Sequence, residues 1–336
     1  MNNIMWASLI ALIFSFIIAP IVIKVCKKLK AGQNILEYVT LHSSKQGTPT
    51  MGGFIFIIPI AFVSLLFISK NSTLAKVCLA VMVGYGIIGF LDDFIKIKFK
   101  HNEGLKPYQK IIFQLIIATV IGFFVYNNIY IGSELYVPFY NGTLNIGWLI
   151  IPFTIILFLA TTNSVNLTDG LDGLAGSVTA VVCIALTVLI SIIIAMVSYT
   201  ALDYIEELNN IMLVLCVTCA SLIAYLWFNV HPAKIFMGDT GSLALGGLIA
   251  SVCAVTKTSL FIIPIGIMYV ISSLSTIIQV FIYKRKKKRV FLMAPFHHHL
   301  QMKGLNETKI CNIYILITFG ISAIVLISQM LICGVL

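Results

Sequence analysis

The segment Asn229-Val-His-Pro-Ala-Lys-Ile-Phe-Met-Gly-Asp-Thr-Gly241 is a polar turn between two long apolar runs. Such runs predict two membrane spans that are joined at the bilayer surface. Asp239 lies between Gly238 and Gly241, just before Ser242 begins the next apolar run. The N-terminus of a helix offers free backbone N–H groups and a partial positive charge, which favour a phosphate. Because a carboxylate repels a phosphate unless a divalent cation lies between them, this turn predicts a Mg²⁺ site for an anionic substrate.

The composition of the whole chain agrees with a membrane protein. Of the 336 residues, 60% are hydrophobic and 10% are charged, and the mean hydropathy is +1.04. Soluble domains carry about 25% charged residues, and a span needs about 20 apolar residues. Unpaired backbone groups are not tolerated in lipid, so we predict one all-α integral membrane domain over residues 1–336, with about ten transmembrane helices. The predicted spans are 4–25, 53–69, 74–94, 110–127, 147–161, 174–198, 210–228, 242–256, 259–283 and 310–335.

Basic residues give this bundle an orientation. With ten spans, one side of the membrane carries only Lys70, Lys76 and Lys257 of the 22 Lys and Arg residues. Lys and Arg accumulate in cytoplasmic loops, so the opposite side is predicted to face the cytoplasm and both termini to lie outside. This bias also accounts for the net charge of +10, and we predict no nucleic-acid partner. On the outer side, Tyr/Ile/Val alternation around Asn141-Gly142 predicts a small β-hairpin with a tight turn near residues 130–146.

Two polar segments precede the central part of the chain on the cytoplasmic side. Lys45-Gln-Gly-Thr-Pro-Thr-Met-Gly-Gly53 brings a lysine, hydroxyl groups and paired glycines to a helix start. This favours an anion site, with a tight turn as the alternative. Gly89-Phe-Leu-Asp-Asp-Phe-Ile-Lys96 places adjacent carboxylates at a helix C-terminus, where Lys96 or a metal must compensate them. We therefore expect one aspartate to be a base or a ligand and the other to pair with a lysine; a solvated helix end is the alternative.

Two further segments lie on the same side. Asn163-Ser-Val-Asn-Leu-Thr-Asp-Gly-Leu-Asp-Gly-Leu-Ala-Gly176 carries two amides and two carboxylates before a span, although Asx turns alone also produce such a cluster. Ala294-Pro-Phe-His-His-His-Leu300 follows the basic run 284–289. The basic run is typical of a span anchor or an anionic-lipid contact. The histidines are better suited to phosphate contact than to an all-histidine metal site.

Five strings together resemble the phospho-N-acetylmuramoyl-pentapeptide transferase family of bacterial cell-wall synthesis. They are TPTMGG at 48–53, the Asp pair at 92–93, NLTDGLDGLA at 166–175, MGDTGS at 237–242 and APFHHH at 294–299. The resemblance implies ten spans, a cytoplasmic site in the bacterial plasma membrane and Mg²⁺ dependence. It also implies transfer of phospho-N-acetylmuramoyl-pentapeptide from UDP to undecaprenyl phosphate, with release of UMP. A homodimer is a further hypothesis.

The resemblance also assigns roles to individual residues. It implies that Asp239 binds Mg²⁺ and that Asp92, supported by Asp93, is a base or a partner of the lipid phosphate. His297 joins these three as a catalytic residue, and Phe236 is expected to stack on uracil. The resemblance implies a uridine pocket formed with Phe236 by Lys45, Gly170, Leu171 and Asp172. It implies a neighbouring sugar and diphosphate region lined by Thr50, Asn166, Asp169 and Gly238, with His297 and His298 at its rim. Lys96 and Lys110 are expected to face phosphates, and Asn229 to bind substrate.

The chemistry of the residues and the family resemblance both indicate phosphoryl transfer, in which the protein positions the substrates and neutralises the charge of their phosphates. Because a lipid phosphate is already an anionic nucleophile, we favour direct attack over a phospho-enzyme route. The rivals are a transferase of N-acetylglucosamine-1-phosphate to the same lipid, an ion transporter and an inert scaffold. The acids cluster at one membrane face, which disfavours a transport path. Pro264 and Gly266 predict a bend in the ninth span, where the lipid could enter.

Overall fold

The computed structural model describes residues 2–29, 47–99, 104–197 and 201–335, so Lys45 lies outside the described residues. Twelve α-helices and one two-stranded sheet follow one another in this part of the chain. The helices are α1 Asn2–Lys28, α2 Phe54–Phe67, α3 Leu74–Phe99, α4 Pro107–Asn127, α5 Ile150–Thr168, α6 Leu174–Met196, α7 Leu202–Asn229, α8 Gly238–Val255, α9 Ile262–Ile265, α10 Ile267–Lys286, α11 Phe296–Met302 and α12 Glu307–Ile332. The strands are β1 Glu134–Tyr136 and β2 Thr143–Asn145.

Nine helices of the described chain are long and apolar enough to cross a membrane. The second predicted span corresponds to α2, an apolar helix of only 14 residues, which is shorter than the other nine. The outward faces of α1, α4 and α12 carry exposed large apolar side chains, among them Ile17, Val120 and Leu316. Such faces suit a lipid environment, and the multi-pass membrane architecture predicted from composition is confirmed.

Several helices extend beyond the predicted spans. Helix α3 continues to Phe99 instead of 94, α5 continues to Thr168 instead of 161, and α8 begins at Gly238 instead of 242. Hydropathy detects only the part of a helix that suits hydrocarbon, whereas a helix can continue into the polar interface with polar side chains. Asn163 and Asn166 consequently lie on α5 and Asp239 lies in the first turn of α8, where sequence analysis had expected loops.

Helix α8 is the centre of the bundle. All of its residues from Thr240 to Val255 are buried, and it packs mainly against α3 and α5. A Cβ atom on Gly246 would lie 2.6 Å from Thr162 Cα, and one on Gly247 would lie 2.8 Å from the Tyr85 ring. Small residues let helices approach closely in membranes, so this glycine-rich helix serves as the common packing partner. We call the end where α3 and α5 finish and α8 begins the site end.

The β-hairpin lies at the opposite end, and its existence is confirmed. β1 and β2 are antiparallel, with Leu135 opposite Leu144. The tight turn predicted at Asn141-Gly142 is wrong, because six residues, 137–142, connect the strands. Pro138 cannot donate a ladder hydrogen bond, which ends the pairing early. The hairpin is instead held from outside: Lys257 O accepts from Tyr136 N at 2.8 Å, and Gln329 Oε1 accepts from Phe139 N at 3.1 Å.

The predicted bend in the ninth span is also present. Helix α9 ends at Ile265 and α10 begins at Ile267, with Gly266 between them at φ −95° and ψ 30°. A Cβ atom on Gly266 would lie 2.7 Å from Ile262 O, so glycine permits the change of direction here. That the lipid enters near this break stays a prediction.

Candidate active site

The segment 229–237 contacts two other loops at the site end, 47–53 and 169–173. Asn229 Oδ1 accepts from Gly173 N at 3.0 Å, and Asn229 Nδ2 donates to Ile235 O at 2.8 Å. Phe236 N donates to Pro49 O and Phe236 O accepts from Gly52 N, both at 2.8 Å. Asn229 is buried and uses both ends of its amide within the chain, so the structure gives it an organising role. Its predicted contact with substrate stays a prediction.

Asp239 lies where four helices meet. Its Oδ2 atom accepts from Lys96 Nζ on α3 at 2.8 Å and from Lys110 Nζ on α4 at 3.1 Å. Its Oδ1 atom accepts from Asn166 Nδ2 on α5 at 2.6 Å, and Asn166 Nδ2 also lies 2.8 Å from Ser242 Oγ. The structure therefore brings together four residues that the sequence predicted in separate segments.

Asp93 caps α8 from another helix. Its Oδ2 atom accepts from Thr240 N at 2.9 Å and from Thr240 Oγ1 at 2.7 Å, while its Oδ1 atom accepts from Asp239 N at 3.2 Å. A carboxylate at a helix N-terminus satisfies free N–H groups and complements the helix dipole. The expectation that these N–H groups are free for a phosphate is therefore wrong, because Asp93 already occupies them.

Gly238 makes room for this cap. It has φ +69°, and a Cβ atom there would lie 2.4 Å from Asp93 Oδ2 and 2.6 Å from Thr50 Oγ1. Both the left-handed backbone and the lack of space favour glycine at this position. Thr50 and Gly238, predicted to line the sugar and diphosphate region, thus lie side by side next to the carboxylates.

Asp92 is the aspartate that pairs with the lysine. The Lys96 Nζ atom lies 2.5 Å from Asp92 Oδ2, and Leu105 N donates to Asp92 Oδ1 at 2.8 Å. A Cβ atom on Gly104 would lie 2.6 Å from Asp92 Oδ1, so a glycine is needed for the chain after α3 to fold over this carboxylate. Sequence analysis missed Gly104 and Leu105, because neither carries a functional group on its side chain.

Gly104→Ala tests this contact. We expect kcat to fall by about tenfold, since the added methyl group displaces the Asp92 carboxylate and small misplacements at reacting groups are costly. The thermal unfolding temperature should also fall, because the methyl group would lie 2.8 Å from the backbone oxygen of Asp92 and overpacking of this kind costs about 1–3 kcal/mol. Turnover and thermal unfolding of the purified variant measure both effects, with Gly320→Ala, where no atom lies within 4 Å, as the control. Unchanged kcat would remove Gly104 from the site.

The three carboxylates have the chemistry of a Mg²⁺ site. One oxygen from each of Asp92, Asp93 and Asp239 lies within 4.8 Å of the others. Mg²⁺ prefers carboxylate oxygens and usually keeps several waters. Among the described residues, these three carboxylates face two ammonium groups, those of Lys96 and Lys110, so the excess negative charge favours a divalent cation. Both oxygens of Asp93 are held by α8, whereas one oxygen of Asp239 and one of Asp92 contact lysine side chains, which can move, so Asp239 and Asp92 are the better ligands.

Asp169 follows α5 directly and adds another acid. Burial raises the pKa of Asp169 well above its usual value, and the neighbouring Asp239, Asp93 and Asp172 carboxylates raise it further. A bound cation would oppose this shift and favour the ionised form.

The histidine helix α11 packs onto the glycine loop that follows α5. A Cβ atom on Gly170 would lie 2.2 Å from His297 Nε2, and His297 is fully buried. Leu171 is also buried, whereas Phe236 is only partly buried. The imidazole of His298 lies with Nδ1 3.1 Å from Gln301 Oε1. Gly170 of the predicted uridine pocket thus lies against His297 of the predicted histidine rim, whereas Lys45 is outside the described residues.

A second polar cluster supports this pocket. Asp172 Oδ2 accepts from Ala233 N at 3.0 Å and lies 3.0 Å from His231 Nδ1. Glu307 Oε2 accepts from Asp172 N at 3.3 Å and lies 3.9 Å from His231 Nδ1. Sequence analysis missed His231 and Glu307. The position of His231 beside Pro232, within the segment that also carries Phe236, is the only signal that could have indicated it.

Comparisons with known proteins identify the family of this chain. The family described as Glycosyl transferase family 4 matches residues 74–257, and the Phospho-N-acetylmuramoyl-pentapeptide-transferase signature 1 matches residues 45–57. Proteins named phospho-N-acetylmuramoyl-pentapeptide-transferase are similar to nearly the whole chain. The protein of Clostridium novyi is 43% identical over 95% of this chain and 94% of its own length, and that of Clostridium perfringens is 44% identical over 94% and 95%. The chain therefore belongs to the phospho-N-acetylmuramoyl-pentapeptide transferase family.

Proposed function

We propose that this chain transfers phospho-N-acetylmuramoyl-pentapeptide from its UDP carrier to undecaprenyl phosphate, forming lipid I and UMP in peptidoglycan synthesis. Family membership supports the reaction, because the relatives carry this transferase name. The cluster around Asp239 is the observation that carries the proposal. It combines carboxylates, two lysines and an amide at the end of a membrane bundle, where a lipid phosphate and a water-soluble donor can meet.

The lysines supply the positive charge for the phosphates. Lys96 Nζ and Lys110 Nζ converge on one oxygen of Asp239 from two different helices. A diphosphate bound between the two lysines replaces part of their contact with Asp239. Both ammonium groups then neutralise the negative charge on the phosphate of the departing UMP. The amide group of Asn166 fixes the other oxygen of Asp239, so the carboxylate keeps its orientation.

Mg²⁺ bound by Asp239, with Asp92 close by, would neutralise the charge of the donor diphosphate. Asp92 is the base in this proposal. The Asp92 carboxylate lies beside that of Asp239, and its Oδ2 atom contacts Lys96 Nζ, so movement of Lys96 toward a phosphate leaves this oxygen able to accept a proton. Asp93 stays on the N-terminus of α8 and holds the backbone of Asp239.

Direct attack by the lipid phosphate on the donor remains our preferred route. A phospho-enzyme trapped at Asp92 or Asp93 would overturn this preference.

We further propose ten spans, with α2 as the tenth, and both termini outside. The hairpin, the start of α7 and Asn3 lie at the end opposite to the site: Tyr130 stacks on Tyr204 at 5.5 Å, and Asn3 shares a cavity with Leu202. The excess of basic residues at the site end supports a cytoplasmic active site in the bacterial plasma membrane. A homodimer remains a proposal, which cross-linking in membranes would test.

Release of UMP by the purified protein tests the function. With undecaprenyl phosphate and UDP-N-acetylmuramoyl-pentapeptide, we expect turnover that requires both substrates and Mg²⁺ and stops when EDTA is added. The lipid product should carry the sugar and the pentapeptide by mass spectrometry. Release only from UDP-N-acetylglucosamine would instead assign the chain to the N-acetylglucosamine-1-phosphate reaction. Absence of release from either donor, in a lipid preparation that supports a relative's activity, would refute the proposal.

A further inference from the structure

A partly buried amide pair joins α4 to α5 about one helical turn from the residues that contact Asp239. Asn163 Nδ2 donates to Gln114 Oε1 at 2.9 Å and to Leu159 O at 2.8 Å. Gln114 is fully buried, and its Nε2 atom has no partner in the described part of the chain. Tyr85 on α3 donates its hydroxyl to the backbone oxygen of Gln114 at 3.1 Å. Neither amide side chain is hydrogen-bonded to Asp239 in the described part of the chain, and the reaction proposed above gives this pair no role.

The two amides lie directly beside residues that hold Asp239. Lys110 precedes Gln114 by four residues on α4, and Asn166 follows Asn163 by three residues on α5. Residues at these spacings share one face of a helix. Each helix therefore presents a pair: Lys110 and Asn166 contact Asp239, while Gln114 and Asn163 contact each other.

Helix α4 depends on α5 for its position. It packs mainly against α5 and makes only a few contacts with α8, the helix that carries Asp239. The buried face of α4 consists of Gln114, Ala118, Ile121, Gly122 and Val125. Four of these five residues are apolar, and Gly122 packs against Ile151 of α5, where a Cβ atom would lie 3.1 Å from Ile151 O. The amide pair adds a directional hydrogen bond to this packing, and a polar pair in an apolar face can define one register, as a buried asparagine does in coiled coils.

We propose that the Gln114–Asn163 hydrogen bond fixes the register of α4 against α5 and thereby holds Lys110 against Asp239, so that both amides are positioning residues for the transfer reaction. This inference rests on the proposed function. An amide whose second donor lies buried without an acceptor costs stability, so a purely structural contact between these helices would be better served by apolar side chains.

The first test compares Gln114→Leu with Tyr85→Phe. Both remove one buried hydrogen bond at Gln114, but only the first removes the link to α5. We expect kcat of Gln114→Leu to fall by about tenfold, with KM for the UDP donor unchanged, because Lys110 is misplaced rather than lost. Tyr85→Phe should keep its kcat within about twofold of wild type. Equal kcat values for the two variants would overturn the inference.

Combination with a Lys110 variant separates positioning from general damage. If Gln114 acts through Lys110, adding Gln114→Leu to Lys110→Ala should lower kcat by less than about twofold further, since interacting residues are not additive. A further tenfold loss in the double variant would contradict the inference. The exchanged pair, Gln114→Asn with Asn163→Gln, restores an amide–amide contact and should recover part of the lost kcat; a Leu pair at the two positions should not.

Hydrogen exchange provides a measurement that does not need turnover. Backbone exchange over the first half of α4 should be faster in Gln114→Leu than in wild type and unchanged in Tyr85→Phe, because the register bond limits local opening. Unchanged exchange in Gln114→Leu would refute the register role even if the wild-type protein were inactive. An inactive wild-type protein with altered exchange would refute the proposed function and leave the register bond supported.

Discussion

Replacing Asp239 by asparagine is expected to lower kcat by about a thousandfold, the largest effect of any single substitution in the site. The substitution keeps the size of the side chain but removes its charge. Lys96 and Lys110 would then lie close together without the carboxylate oxygen that both contact, and the principal Mg²⁺ ligand would be weakened. The direct measurement is Mg²⁺-dependent UMP release at saturating donor and lipid.

Two controls accompany this variant. Asp203→Asn removes an exposed acid from the first turn of α7, at the opposite end of the bundle, and should keep full activity. Titration with Mg²⁺ shows whether the loss can be overcome by more metal. A fall of less than about tenfold at saturating Mg²⁺ would mean that Asp239 is not the principal metal ligand.

Gly89→Ala is expected to have the second largest effect, although Gly89 carries no functional group. A Cβ atom at this position would lie 2.0 Å from Asp239 O and 2.6 Å from Thr240 N, so α3 and α8 must move apart. Overpacking of this kind costs about 1–3 kcal/mol of the free energy of unfolding. It also displaces Asp92 and Asp93 relative to Asp239, and we expect kcat to fall by about a hundredfold.

Gly320→Ala is the matched control for Gly89→Ala. Gly320 lies within α12, and a Cβ atom there would meet no atom within 4 Å. In an open helical position this substitution stabilises by about 0.5–1 kcal/mol. The thermal unfolding temperature in detergent should therefore rise in Gly320→Ala and fall in Gly89→Ala, and UMP release should fall only in Gly89→Ala. Similar unfolding temperatures for both would show that α3 and α8 do not pack as closely as described.

The parts of the site that carry charge could be predicted from the sequence. Asp92, Asp93, Lys96 and Asp239 are rare ionisable groups next to apolar runs, and the structure brings all of them together. The residues that could not be predicted are glycines whose role depends on how closely another part of the chain approaches them. Gly104 covers Asp92, and Gly89 touches the backbone of Asp239, yet each is one glycine among 23. Only the packing of helices shows which of them cannot carry a side chain.

The ends of helices were the other source of error. Hydropathy predicted that Asn166 and Asp239 lie in loops, whereas both lie on helices that continue past the apolar runs. The prediction that the first turn of α8 is free to bind a phosphate failed because Asp93 reaches it from α3. Asp93 precedes Asp239 by 146 positions, so no short sequence pattern around α8 indicates that Asp93 caps this helix.

The hairpin at the opposite end has a consequence for biosynthesis. Its backbone binds to Gln329 on α12, a residue made 190 positions after Phe139, and Lys257 pairs with Glu134 at 3.0 Å. Contacts between such distant residues form late, because the intervening chain must first be ordered. The hairpin can therefore dock only after α8 and α12 have been inserted, and the connection between α4 and α5 closes over a bundle that is already assembled.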